Sequence, residues 1–222
     1  MVFSRWVNYC FTAGYKEFHG EFSDDRYEVQ VEYLNIDPAE LAALISHLFE
    51  SPALIQERFS RDQIADGIWF LFGVASEYFY KVREKSVPAA QQVCCYRALK
   101  ILYRELFDKI CRDANEPGLS MQAINADKLE SAIYMIWDMN YVEGAAMSDG
   151  WPHLVEPCFE VLQAALDCRS AACKISALHG LGHLARYHPD RVRKMAGKAA
   201  SNSNLPKWIR EYAAAAREGC VQ

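Results

Sequence analysis

The sequence predicts an all-α fold, on the basis of residue spacing, turn content and helix-start signals. From Ile175 to Leu184 large apolar residues return every three positions, which is the period of one helix face and not of a strand. Glycine and proline, which most often interrupt helices, number only 11 and 8 among 222 residues. The pair Asp37-Pro38 combines a preferred N-cap residue with the residue that fits the first helical position. Such signals recur along the chain and predict about nine helices.

Residues 1–36 are the hardest part of the chain to assign. Apolar spacing predicts a short first helix that ends near Gly14. Between residues 24 and 34 the large side chains fit both helical spacing and strand alternation. A preceding N-cap signal favours a helix, and a strand stays open as the alternative. The whole segment is also open to interpretation as an N-terminal extension of the domain.

Four helices are predicted between residues 37 and 112. Asp37 caps the first, and a short second helix fills 53–58. Ser60, with Gln63 in the capping-box position, opens a third helix that runs to Tyr80 and is apolar nearly all round. A helix of that kind is buried on most sides, so we expect it to be central to the fold. The fourth helix begins after Pro88 and continues to residue 112.

Turn signals divide the second half of the chain. Residues 115–118 form a loop that about ten further residues extend, and Asp127 or Asn125 then caps a helix. The polar segment 138–152 follows and is rich in turn residues. Proline then opens three helices, after Trp151, His188 and Leu205, with the helix 171–187 between the first two.

The stretch around 174–190 resembles the second helix of a HEAT-like repeat. The residues that match the repeat are Lys174, Ala177, Leu178, Leu181, Gly182, Pro189 and Asp190. The string SALHGLGH, with residues 217–220, is also similar to a family of uncharacterised bacterial proteins without an established activity. The resemblance implies an irregular HEAT-like α-solenoid of antiparallel helical hairpins. We expect one domain over 1–222, with 151–222 as its most repeat-like part.

Net charge is uneven along the chain and bears on the class of partner. The formal net charge is −5, and the segments 1–86, 87–150 and 151–222 carry −6, −3 and +4. A nucleic-acid-binding protein normally has a basic excess, so nucleic acid is not the expected partner. The acidic first half suits a basic protein instead.

Cysteine and hydropathy patterns indicate a cytoplasmic protein without a membrane segment. The eight cysteines are irregularly spaced, contain no C-x-x-C pair, and lie mostly within apolar helical patterns. The N-terminus has no apolar core long enough for a signal peptide, so the thiols are expected to be reduced. No apolar run approaches the length of about 18 residues that a membrane span requires.

His179 and His183 form an H-x-x-x-H pair, which places both imidazoles on one face of a helix, one turn apart. Two imidazoles at this spacing can share one metal ion. The residue after His179 is a glycine, so the H-E-x-x-H motif is absent. The open third-ligand alternatives are His153, His188 and Cys173. The competing interpretation is that both histidines only make structural hydrogen bonds, and no metal or cofactor is assigned.

Two surface clusters are candidates for binding. The segment after the helix 127–137 mixes aromatic and acidic residues that could contact a protein partner; its candidate residues are Trp137, Asp138, Tyr141, Glu143 and Asp149. A basic cluster follows the histidine helix and could hold a phosphate; its residues are Arg186, Arg191, Arg193, Lys194 and Lys198. Solvated surface is the alternative in both cases.

The sequence contains no P-loop, no G-x-G-x-x-G and no G-x-S-x-G, and it predicts no catalytic residue. The function predicted is therefore a non-enzymatic protein-interaction module. Its specific form is an immunity or inhibitor protein that neutralises a basic toxin such as a nuclease. The alternatives are a HEAT-like nucleic-acid-binding protein or DNA glycosylase, and a small metalloenzyme that uses His179 and His183.

Overall fold

A computed structural model describes residues 1–18, 31–138 and 142–221. Over these residues the chain forms fourteen α-helices and no strand, which confirms the predicted all-α class. The helices are α1 (Phe3–Thr12), α2 (Gly14–Phe18), α3 (Pro38–Phe49), α4 (Pro52–Arg58), α5 (Arg61–Phe72), α6 (Tyr78–Val82), α7 (Ala89–Ile101), α8 (Asp108–Ile110), α9 (Met121–Ala126), α10 (Lys128–Tyr134), α11 (Pro152–Asp167), α12 (Ala171–Leu184), α13 (Pro189–Ala200) and α14 (Lys207–Arg217). A π-helical segment (Leu102–Phe107) joins α7 to α8, and 3₁₀ turns span Met135–Trp137 and Glu143–Ala145.

The described helices outnumber the nine predicted, partly because the long aromatic helix is divided into α5 and α6. The chain at Gly73 is extended, with φ −95° and ψ −179°. The hydroxyl of Ser76 donates a hydrogen bond of 2.6 Å to the carbonyl oxygen of Phe70. This acceptor would bond the next turn of a continuous helix, so the serine side chain replaces that bond and ends the helix.

The structure also differs from the prediction in the stretch after residue 118. Helix α9 occupies most of the stretch predicted as loop after residue 118, and Ser120 caps it by accepting a hydrogen bond from the amide of Ala123. Residues 31–34 are helical, which agrees with the preferred interpretation of the ambiguous segment. The rest of that segment, residues 24–30, lies outside the described residues.

The predicted helix starts are confirmed where a polar side chain caps the helix. Asp37 accepts hydrogen bonds from two backbone amides of the first turn of α3, at 3.0 and 3.1 Å. Ser60 and Gln63 form a reciprocal capping box at the start of α5, with distances of 3.3 and 2.9 Å. Of the two alternatives for α10, the cap is Asp127 and not Asn125. These caps satisfy amides that have no partner within the helix.

Helices that are distant in sequence pack in two series. In the first, α1 contacts α5, α5 contacts α10, α10 contacts α12, and α12 contacts α14. In the second, α3 contacts α7 and α7 contacts α11, while α11 and α13 also pack against α12. Buried side chains from α1 through α14 form one hydrophobic cluster. Trp6, Val7 and Phe11 of α1 belong to it, so this helix is part of the core.

The cysteines contribute to this core as thiols. All eight are free, and five of them are buried: Cys10, Cys95, Cys158, Cys168 and Cys173. Burial disfavours the thiolate and raises the pKa of Cys95 to about 12, so this side chain packs as a small apolar group. Within the described ranges, no helix is long and apolar enough to cross a membrane.

Candidate functional site

Helix α12 presents His179 and His183 side by side, as the H-x-x-x-H spacing predicts. Ser170 caps the helix by accepting a hydrogen bond from the amide of Cys173. The two imidazole rings lie 4.5 Å apart, centroid to centroid. His179 is 2% exposed, whereas the side chain of His183 is 24% exposed. The pair therefore lies at the boundary between the core and the surface.

Asp138 brings a carboxylate to both histidines. It directly follows the 3₁₀ turn after α10, and α10 packs against α12. Its Oδ1 atom lies 3.0 Å from Nε2 of His179 and 3.6 Å from Nε2 of His183. Three possible ligand atoms, one from each residue, all lie within 4.8 Å of one another, and no other such group occurs among the described residues. We call Asp138, His179 and His183 the Asp–His–His cluster.

The other ring nitrogen of each histidine faces a second polar group. Nδ1 of His183 lies 3.7 Å from Oε1 of the buried Glu143. Nδ1 of His179 lies 2.7 Å from the hydroxyl of Tyr212 and 3.1 Å from that of Tyr134. The two hydroxyls are 3.0 Å apart. Both rings are thus fixed in orientation from the side opposite Asp138.

These surroundings shift the pKa values of the two imidazoles in opposite directions. Burial lowers the pKa of His179, and the hydrogen bond to Asp138 only partly offsets that effect. The interaction with Glu143 raises the pKa of His183, although burial of the ring opposes the shift. Near neutral pH, His179 is therefore neutral and can act as a ligand, as metal-binding histidines must.

Two of the three spacings in the cluster are close to what a metal ion requires. Zinc–nitrogen and zinc–oxygen bonds of about 2.1 Å in a tetrahedron place ligand atoms about 3.4 Å apart. The distances of 3.0 and 3.6 Å from Asp138 Oδ1 to the two Nε2 atoms lie on either side of that value. Without a metal, the same atoms form an ordinary histidine–carboxylate hydrogen bond. The arrangement can therefore serve as a structural contact or as a three-ligand metal site.

The residues considered as a third ligand do not lie in the Asp–His–His cluster. His153 lies against Gln92, with 2.6 Å between Nε2 and Oε1, and Nε2 of His188 lies 2.7 Å from the carbonyl oxygen of Ala146. Cys173 is fully buried near the other end of α12. None of the three belongs to the Asp–His–His cluster. The third residue is instead Asp138, which the sequence had suggested for partner binding.

Two of the residues predicted for the partner surface, Trp137 and Glu143, lie in the interior. Trp137 is fully buried, and its Nε1 atom donates a hydrogen bond of 3.0 Å to the hydroxyl of Tyr103. Glu143 is also buried, whereas Asp149 is exposed. Tyr141 lies outside the described residues. Trp137 and Glu143 cannot contact a partner in this conformation, so the indole of Trp137 is not an anchor for one.

Nothing in the sequence connects Tyr134 and Tyr212 with the two histidines. They are separated from His179 by 45 and 33 residues, so no local spacing connects them with it. Both tyrosines lie in predicted helices in which other positions are apolar. An isolated tyrosine in such a pattern normally indicates packing, and its hydroxyl partner depends on the tertiary fold.

Comparisons of this chain with models of protein families, with curated proteins and with solved structures found no match. The functional interpretation therefore rests on the geometry of the site itself.

Proposed function

We propose that this protein binds one divalent transition-metal ion through Asp138, His179 and His183. The observation that supports this function is that each of the four imidazole nitrogens faces a polar group. Both Nε2 atoms face the same carboxylate oxygen, and both Nδ1 atoms face a different polar group. Metal-bound histidines almost always have such a supporting partner on the second nitrogen, because it fixes the tautomer and the ring orientation.

The ligand set favours particular metals. Two imidazoles and one carboxylate suit zinc, iron(II), cobalt or nickel, whereas calcium and magnesium prefer oxygen ligands alone. Three protein ligands leave at least one coordination position for water or a small ligand. The side chains of Asp138 and His183 are 38% and 24% exposed, so an ion can enter from their side of the cluster. Metal binding is the function proposed, and no reaction is assigned to it.

Metal titration of the chelator-treated protein tests this function. We expect one Co²⁺ per chain, with the visible absorption of a low-symmetry site, and displacement by Zn²⁺. Metal at about 100 times its Kd should raise the free energy of unfolding by about 2.7 kcal/mol. The double variant His179→Ala, His183→Ala should lose both effects, and the exposed-histidine variant His47→Ala should retain them.

Asp138→Asn separates loss of the metal from loss of the fold. The amide keeps the size and hydrogen-bonding capacity of the side chain but is a poor ligand. We expect this variant to show the wild-type circular dichroism spectrum with Co²⁺ affinity at least about tenfold weaker. Equal Co²⁺ binding by the wild-type protein and the double histidine variant would contradict the proposed function.

A second candidate function is the predicted interaction with a basic protein such as a toxin nuclease, at the cytoplasmic location expected from the sequence. Its support is the acidic first half of the chain, where Glu50, Glu57 and Asp62 are exposed on or beside α3, α4 and α5. Charge complementarity of this kind increases association rates and is weakened by salt. The double variant Glu57→Lys, Asp62→Lys should slow association with any basic partner that copurifies, whereas it should leave Co²⁺ binding unchanged.

A further inference from the structure

A groove with a basic rim runs between α7, α11 and α13, on elements other than those of the Asp–His–His cluster. Its volume is about 510 Å³. The lining residues are Lys100, Arg104, Glu156, Phe159, Glu160, Gln163, Ala164, Arg191, Lys194 and Met195. We call this hollow the basic groove. It includes Arg191 and Lys194 of the basic cluster that the sequence singled out.

Both carboxylates at the basic groove are already neutralised. Glu160 accepts hydrogen bonds from Arg97 at 2.8 and 3.1 Å and from Lys100 at 2.6 Å. Glu156 accepts two from Arg191, at 2.8 and 3.1 Å. Glu160 thus pairs with two cations, and Glu156 pairs with one. The internal ion pairs therefore leave no carboxylate of the groove to repel an incoming anion.

Two further cations at the basic groove are exposed. Arg104 and Lys194 make no ion pair with any described residue in this structure. Arg104 projects from the π-helical segment, a type of turn that often occurs at functional sites. Together with Lys100 and Arg191, these residues give the lining of the groove four cations against two carboxylates. The local excess of positive charge contrasts with the net charge of −5 of the whole chain.

An aromatic ring lies beneath the charged side chains of the groove, and apolar surface begins beyond them. The guanidinium carbon of Arg191 lies 3.9 Å from the ring centroid of Phe159, which it covers. Gln163 and Met195 also line a second hollow of about 270 Å³, so the two hollows are neighbours. The partly exposed apolar residues of the second hollow are Leu166, Met195, Ala199 and Leu205, and its polar residues include Asp167, Lys174, Lys198 and Asn202. A ligand that followed the groove would meet cations first and aliphatic side chains beyond them.

We infer that the basic groove binds an acidic, amphipathic helical segment of a partner protein. Carboxylates of the segment pair with Arg104 and Lys194, and its apolar face packs on Met195 and the aliphatic residues beyond it. Nucleic acid fits less well, because single strands need exposed aromatic rings for stacking and Phe159 is only 1% exposed. The inference does not depend on metal binding by the Asp–His–His cluster.

Fluorescence anisotropy with designed probes tests this inference. The main probe is a peptide of about 18 residues with leucine on one helical face and glutamate on the other. Comparison probes are the same peptide with lysine in place of glutamate, a glutamate peptide without leucine, and a single-stranded oligonucleotide. We expect saturable binding of the main probe alone, weakened several-fold by high salt.

Charge reversal identifies the surface. The double variant Arg104→Glu, Lys194→Glu should weaken binding of the main probe at least about tenfold. The double variant Lys16→Glu, Lys85→Glu makes the same change in net charge at exposed sites on α2 and after α6, and should bind as the wild type does. Far-ultraviolet circular dichroism and Co²⁺ titration of both variants show whether the fold and the metal site are intact.

Three results would overturn the inference. These are failure of the main probe to bind, an equal loss of affinity in the two double variants, and tighter binding of the oligonucleotide than of the main probe. The last result, if it depended on Arg104 and Lys194, would instead assign the groove to nucleic acid. Loss of Co²⁺ binding with unchanged peptide binding would count only against the metal site.

Discussion

Gly180 is the residue at which helix propensity and packing conflict most directly. A glycine in a helix costs about 1 kcal/mol relative to alanine. A Cβ atom at this position would lie 2.8 Å from the Cγ and Cδ2 atoms of Trp137 and 3.0 Å from Leu162. The atoms nearest to this position are side-chain atoms and not the backbone of a neighbouring helix. The glycine therefore makes room for a fully buried indole.

Substitution of this glycine should destabilise the protein. We expect Gly180→Ala to lower the free energy of unfolding by about 1–3 kcal/mol, because Trp137 must move and overpacking outweighs the gain in helix propensity. The measurement is urea unfolding monitored by circular dichroism. Gly197→Ala in α13 is the matched control, since its nearest neighbour would be Arg217 Cδ at 3.8 Å. That variant should be up to about 1 kcal/mol more stable, and equal effects at the two sites would contradict the packing argument.

The two histidines should also differ in their titration in the metal-free protein. NMR should show His183 taking up its proton at a higher pH than His179, because Glu143 raises one pKa and burial lowers the other. The variant Glu143→Gln should lower the pKa of His183 and bring the two values closer together. An unchanged pKa of His183 in that variant would rule out Glu143 as the cause.

Because of the same pKa shifts, the two histidines favour the folded state in opposite pH ranges. The pKa of His183 is higher in the folded chain than the ordinary value of 6.5. Its protonation therefore stabilises the fold at low pH, and that contribution is lost as the pH rises through the folded pKa. The pKa of His179 is lower than 6.5 in the folded chain, so its contribution is present at high pH and is lost as the pH falls.

At the scale of single elements, capping decides where helix α5 begins and a side-chain hydrogen bond decides where it ends. The capping box of Ser60 and Gln63 was recognisable because both partners are local in sequence. The end was not recognisable, because the residues after Gly73 are as apolar and aromatic as those before it. The bond from Ser76 to Phe70 spans six residues and exists only once the chain has turned. Glu77, with φ at 55°, adopts the left-handed conformation within that turn.

Removal of the α5 cap should have a measurable cost. We expect Ser60→Ala to lower the free energy of unfolding by about 1 kcal/mol, because an amide of the first turn loses its acceptor. Ser51→Ala is the matched control, since Ser51 precedes α4 without a side-chain capping bond. Thermal or urea unfolding of the two variants gives the comparison. A larger loss in Ser51→Ala than in Ser60→Ala would show that capping does not control the stability of α5.

At the scale of the whole molecule, the segment after α8 joins the two halves of the fold. Ala114 donates a backbone hydrogen bond to Arg169, and Ala171 donates one to Arg112. Fully buried Glu130 of α10 holds this segment, because it accepts hydrogen bonds from the backbone amide and Nε of Arg112 at 2.8 and 3.0 Å. One carboxylate thus fixes the chain that connects α8, α10 and α12.

Neutralising that carboxylate should destabilise the whole molecule. We expect Glu130→Gln to lower the free energy of unfolding by about 2–3 kcal/mol. This loss is smaller than that for a fully buried ion pair, because the side chain of Arg112 is 32% exposed. Glu105→Gln, which breaks the exposed pair with Lys109, should change stability by less than about 0.5 kcal/mol. Denaturant unfolding measures both, and a cost below that of the Glu105 control would contradict the role of Glu130.

The sequence by itself determined the helical class, most helix starts and the pairing of His179 with His183. These features depend on residues within one or two turns of each other, and helix geometry converts such spacing directly into contact. It also determined that the first helices would be acidic and the last ones basic.

Only the tertiary structure decided which residues surround the histidines. Asp138 and Glu143 were assigned to a surface for a partner, and the packing of α10 and the following turns against α12 places both beside the imidazoles instead. Tyr212 reaches the same ring from α14. Such contacts join residues 33 to 45 positions apart, and they depend on how whole helices pack. Local spacing carries no information about that packing, so the site could not be assembled from the sequence alone.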